Sequence, residues 1–144
     1  MKSQILGLLI IFYLFKFYKS ENQISIIIIG KTGKNYIFRN NIFPKRILKN
    51  GTDLANPNTY YLTNLEYKQY YNITMIWDKQ LTTANYMFSE LNIVQFDFSK
   101  FDTSKITNME YMFAACQYLE SLNLMILNYD NQQTWLPYHL LLMY

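Results

Sequence analysis

The feature that most restricts how this chain can fold is an internal repeat in its second half. Leu81-Thr-Thr-Ala-Asn-Tyr-Met-Phe88 and Ile106-Thr-Asn-Met-Glu-Tyr-Met-Phe113 share an apolar start, a Thr and Tyr-Met-Phe at a spacing of 25 residues. Ile93, Phe96 and Phe98 recur as Leu119, Leu122 and Leu124 at a spacing of 26, the extra residue falling near Cys116. Phe96-Asp97-Phe98 and Leu122-Asn123-Leu124 alternate apolar and polar, which suits a short strand that buries its outer pair. Leu81, Ala84 and Phe88 fall at i, i+3 and i+7, as do Ile106, Met109 and Phe113, a pattern that predicts one face of a helical turn. Asp78 and Thr103 stand three residues before those turns, and both types cap helix N-termini. Ile73-Thr-Met-Ile-Trp77 reads as the strand of a degenerate preceding unit.

Units of this length cannot bury an apolar face alone, so they stack, and the period lies within the roughly 20–29 residues of leucine-rich repeats. The expected fold class is therefore an α/β repeat, a short leucine-rich-repeat solenoid of about three parallel strands with short helical turns. It would cover residues 73–124, with strands and turns at 73–98 and 106–124. Its core is expected to hold Leu81, Met87, Phe88, Phe96, Phe98, Ile106, Met109, Met112, Phe113, Cys116, Leu119, Leu122 and Leu124.

Residues 21–72 read as a β-rich lead-in. Ile24 to Ile29 is a β-branched run suited to a strand buried on both faces. Gly30 to Lys34 then predicts a glycine-containing hairpin loop before strand character resumes at Asn35 to Phe38. Gly30-Lys31-Thr32 lacks the earlier glycine of a phosphate-binding loop, since position 25 is Ser25. Pro44, Asn50-Gly51 and Asn56-Pro57 mark turns.

At the N-terminus, Lys2 and the apolar run Ile5 to Phe15 predict a signal peptide over residues 1–20. Lys16 ends the run short of the roughly 20 residues of a membrane span, and Tyr18 departs from the small-residue cleavage rule, which leaves a signal anchor as the alternative. Lys2, Lys16 and Lys19 account for the net charge of +3, because no acidic residue precedes Glu21. A nucleic-acid partner is therefore not expected; Lys45-Arg46 with Lys49 is the nearest basic cluster and suits a solvated loop. Export would make Asn50-Gly51-Thr52 and Asn72-Ile73-Thr74 candidate N-glycosylation sites at Asn50 and Asn72. Cys116 is the sole cysteine, so no intrachain disulfide forms.

From Phe96 to Leu124 the chain resembles the BspA-like leucine-rich-repeat surface proteins of bacteria and protists. The likeness is carried by Phe101-Asp-Thr-Ser104, Ile106-Thr-Asn-Met109, Met112-Phe113, Cys116, Leu119 and Leu122-Asn-Leu124. The lead-in Trp77-Asp-Lys-Gln-Leu-Thr-Thr83 is similar to the protist members. This resemblance implies surface display and adhesion or recognition, with no catalytic residues. The first unit departs from the pattern by placing Leu91 where Cys would stand. After Leu124 the pattern ends, and residues 125–144 form a divergent tail.

These features predict a secreted or cell-surface protein that binds a protein or glycan, needs no cofactor or metal, and meets membrane only through an N-terminal anchor. The expected ligand face is the outward side of the strands, where Gln95, Asp97, Ser121 and Asn123 stand in register. An enzyme is not expected. His139 is the sole histidine and lies in the tail, and Cys116 falls on a core position. A truncated, non-functional repeat fragment is the other alternative.

Overall fold

The computed structural model describes residues 22–54 and 58–119. It contains seven strands: β1 (Asn22–Ile29), β2 (Asn35–Tyr36), β3 (Arg46–Lys49), β4 (Thr52–Asp53), β5 (Tyr61–Leu62), β6 (Tyr70–Trp77) and β7 (Ile93–Asp97). Five form one sheet in the order β4-β3-β6-β1-β7, and β2 pairs with β5 in a second, two-stranded sheet. Every strand pair is antiparallel. The signal-like segment 1–20, the tail 125–144 and Ser121, Leu122, Asn123 and Leu124 lie outside the described residues.

The expected α/β solenoid is not what forms. Among the described residues there is no helix, and the sheet does not stack three parallel strands. β1 takes the place between β6 and β7, pairing antiparallel with both. Ile26 lies opposite Ile73 on one side and Phe96 on the other. β6 and β7 thus run in the same direction without touching. The β-branched run at Ile24 to Ile29 is the physical cause, since it is the longest strand-forming stretch of the lead-in and offers two edges for pairing. It is buried on one face: Ile24, Ile26 and Ile28 are enclosed, whereas Ser25, Ile27 and Ile29 are half-buried.

The expected hairpin after β1 also fails to form. β2 pairs with β5, Asn35 opposite Leu62 and Tyr36 opposite Tyr61. Gly30 instead turns the chain tightly against the 65–71 segment, where its N–H donates to the Gln69 carbonyl at 2.8 Å and its carbonyl accepts from Lys68 N–H at 2.9 Å. A Cβ at position 30 would run into the Glu66 carbonyl oxygen, so the close approach requires glycine. β3 and β4 are joined by Asn50-Gly51, both at positive φ (49° and 81°), the two-residue turn whose twist matches that of the strands.

Both predicted helical turns are replaced by irregular turns with two left-handed residues each. Tyr86 and Glu90 have φ of 53° and 57°, and Tyr111 and Ala115 have φ of 55° and 55°. A right-handed helix cannot contain such residues, so Asp78 and Thr103 have no helix to cap. The backbone groups that a helix would satisfy internally bond to the neighbouring unit instead. Ala84, Tyr86, Phe88 and Glu90 N–H donate to the carbonyls of Asn108, Glu110, Met112 and Ala114 at 2.7–2.9 Å. Every second residue donates across to the neighbouring unit, and Thr83 and Asn108 form a parallel bridge. Apolar side chains at i, i+3 and i+7 are still buried, so the pattern located the buried side chains and mistook the backbone that carries them.

A similar pair of left-handed residues appears once more, at Asn64 and Lys68 (φ 58° and 61°) just before β6. Leu65, Met87 and Met112 each follow the first left-handed residue, and each is buried. One apolar cluster joins lead-in residues Ile37, Phe38 and Ile47 to Met87, Phe88 and Met112. Trp77, 1 % exposed, donates its indole N–H to the Ile42 carbonyl at 3.0 Å. Arg39 fastens the two halves: its N–H donates to the Met87 carbonyl at 2.8 Å, and its guanidinium pairs with Glu90 at 3.0 Å over the Tyr36 ring.

Candidate recognition face of the sheet

Because side chains alternate along a strand, burying Ile24, Ile26 and Ile28 of β1 turns Gln23, Ser25 and Ile27 outward. Pairing then extends a polar row across the neighbours. Asp97 of β7 lies opposite Ser25, and Ser25 lies opposite Thr74 of β6. In the next row, Gln95 lies opposite Ile27, and Ile27 opposite Asn72. A register shift between Ile27 and Ile28 lets Gln95 and Asp97 share this outward side while Ile93 remains fully buried.

Ser25 and Thr74 hydroxyls lie 3.0 Å apart, Gln23 Nε2 donates to Ser25 Oγ at 3.4 Å, and Thr74 Oγ1 donates to Asn72 Oδ1 at 3.3 Å. Ser99 N–H donates to Asp97 Oδ1 at 2.9 Å, and these Ser99 bonds hold the Asp97 carboxyl below its ordinary range. Asp97 is therefore ionised at neutral pH. The face contains an open concavity of ≈ 250 Å³, lined by Ser25, Ile27, Asn72, Gln95, Phe96 and Asp97 among others. Its donors and acceptors suit hydroxyl and amide groups. Phe96, between Gln95 and Asp97, packs its half-buried ring against the core on the other side, stacked 5.1 Å from Phe98 and edge-on to Phe113.

Of the expected ligand residues, Gln95 and Asp97 are exposed on this face. Of the expected core residues, Leu81, Met87, Phe88, Phe98, Ile106, Met109, Met112, Phe113, Cys116 and Leu119 are buried. Cys116 Sγ donates to the Phe88 carbonyl at 2.9 Å, and burial pushes its thiol up to about 11, which suppresses the thiolate a nucleophile needs.

The two sequon asparagines are exposed and adjoin each other. Asn72 N–H donates to Asn50 Oδ1 at 2.9 Å, and Asn50 N–H donates to the Asn72 carbonyl at 2.8 Å. The lead-in cations are dispersed rather than gathered. Lys45 faces Asp78 at 3.7 Å, Arg46 pairs with Asp53 at 2.8 Å, and Lys34 lies over the Tyr61 ring. Sequence reasoning missed the contributions of Ser25, Asn72 and Thr74 to the face. Alternation in Tyr70-Tyr71-Asn72-Ile73-Thr74 was the available signal, and only the position of β1 makes it one surface with β7.

No curated protein matches the chain, and no solved structure does. A family model matches residues 40–135, a span that takes in β3 to β7 and both repeats but not β1. The match extends over two thirds of the chain, and the protein belongs to the DUF285 family, described as Mycoplasma protein of unknown function.

Proposed function

We propose that this protein is an exported surface protein that recognises a protein or glycan through the outward face of its five-stranded sheet. The observation that carries this reading is the set of Gln95, Asp97, Ser25 and Asn72 around one open concavity, with Thr74 beside Ser25. The likeness of Phe96 to Leu124 to BspA-like leucine-rich-repeat surface proteins supports it, as does the signal-like segment 1–20. All six large apolar side chains exposed among the described residues are tyrosines, the residue type that gives rigid amphipathic contact area at low entropic cost.

A stable pairwise interface requires about 800 Å² per partner. The concavity is lined by seven residues, where such an interface takes roughly 20–30 a side, so the binding mode is weak and multivalent, as between two surfaces carrying many copies. Antibody raised to residues 73–119 and applied to intact, unpermeabilised cells tests the display. Surface staining is the expected result; staining only after permeabilisation overturns the proposal.

A further inference from the structure

Tyr86 and Tyr111 occupy the same place in the two stacked repeats, 25 residues apart. Both are held at left-handed φ, 53° and 55°, a conformation disfavoured for a bulky side chain and maintained only by surrounding structure. Tyr86 N–H donates to the Glu110 carbonyl at 2.9 Å, which sets one backbone beside the other. Their rings lie 4.9 Å apart and 16° from parallel, yet they remain 48 % and 39 % exposed. Other tyrosine pairs are less favourably placed. Tyr60 and Tyr61 meet edge-on at 77°, and Tyr36 and Tyr60 lie 5.8 Å apart with Tyr36 half-buried.

We propose that Tyr86 and Tyr111 are an oxidative cross-linking site, joined as dityrosine by a peroxidase-type oxidant that consumes hydrogen peroxide. Each phenol gives up one electron and its hydroxyl proton, leaving two neighbouring radicals. Their ring carbons ortho to oxygen form a carbon–carbon bond, and the two ring hydrogens shift to restore the phenols. The pair loses two electrons and two protons in all, which reduce one peroxide to two waters. Holding the radicals side by side replaces a bimolecular encounter with an intramolecular one, so coupling outruns escape to another molecule. Exposure admits the oxidant and leaves the rings room to swing from face contact to edge contact. The product is a covalent tie between the two repeats, and it stands independently of what the sheet face binds.

The test is treatment of the dilute full chain with hydrogen peroxide and a peroxidase, followed by proteolysis and mass spectrometry. The expected product migrates as a monomer and yields one dominant cross-linked peptide pair containing Tyr86 and Tyr111, two hydrogens lighter than its parts. Tyr86→Phe and Tyr111→Phe each preserve a stacked ring and abolish that pair, while Tyr118→Phe leaves it in place. Circular dichroism matching the wild type establishes that each variant is folded. Absence of dityrosine in the folded wild type, or a dominant cross-link at other tyrosines or between chains, overturns the proposal.

Discussion

Left-handed residues decide how the repeat units turn, and outside the repeats four of them, Gly33, Asn50, Gly51 and Asn64, are glycine or asparagine. In the repeats the same task falls to Tyr86, Glu90, Tyr111 and Ala115, for which it costs energy. Ala115 is exposed and loses only a methyl group on becoming glycine. Ala115→Gly is therefore expected to stabilise the fold by about 1 kcal/mol, read as a raised urea midpoint. Two aspartates behave alike at this scale. Ser104 donates to Asp102 and Gln80 Nε2 approaches it at 2.6 Å, so Asp102, like Asp97, titrates below its ordinary range. A depressed folded value means stability that is complete above the unfolded pKa and lost as pH falls through the folded one. The urea midpoint of the wild type is expected to drop on acidification below about pH 4, and that of Asp102→Asn to drop less. An identical acid profile for the two contradicts the account of Asp102.

Among elements, β1 has the largest consequence, because it lies between β6 and β7 and pairs with both. Ile26 is 1 % exposed at its centre. Ile26→Ala is expected to cost about 2–5 kcal/mol in urea unfolding, and Ile27→Ala, on the half-buried side, distinctly less. Faster amide hydrogen exchange in both β6 and β7 of the Ile26→Ala protein is the accompanying expectation. Strand character at Ile24–Ile29 and Ile73–Trp77, and in part at Phe96-Asp97-Phe98, was legible in the sequence, because β-branched and alternating runs report local conformation. Partner choice was not legible. Pairing depends on long-range competition, and a repeat gives no warning that a strand from outside it will enter between its units. Backbone handedness was equally hidden, since Leu81, Ala84 and Phe88 are buried alike by a helical turn and by the left-handed turn that forms.

At the scale of the molecule, lead-in and repeats form one hydrophobic cluster rather than a repeat array with a separate cap. The face proposed for recognition is a product of that union: Gln95 and Asp97 come from the repeat region, Ser25 from the lead-in, and the strand pairing brings them together. The outward positions of Gln95 and Asp97 were thus readable from the repeat pattern, whereas their alignment with Ser25, Asn72 and Thr74 required knowing where β1 sits. The proposed function requires that this composite face bind. Its most direct measurement is binding of the purified, multimerised protein to an array of glycans and extracellular proteins, beside a Gln95→Ala/Asp97→Ala variant of unchanged circular dichroism. Defined targets are expected for the wild type and at least a roughly tenfold loss on them for the variant, the consequence of removing two polar contacts worth about 1 kcal/mol each. Equal binding by both proteins would contradict it.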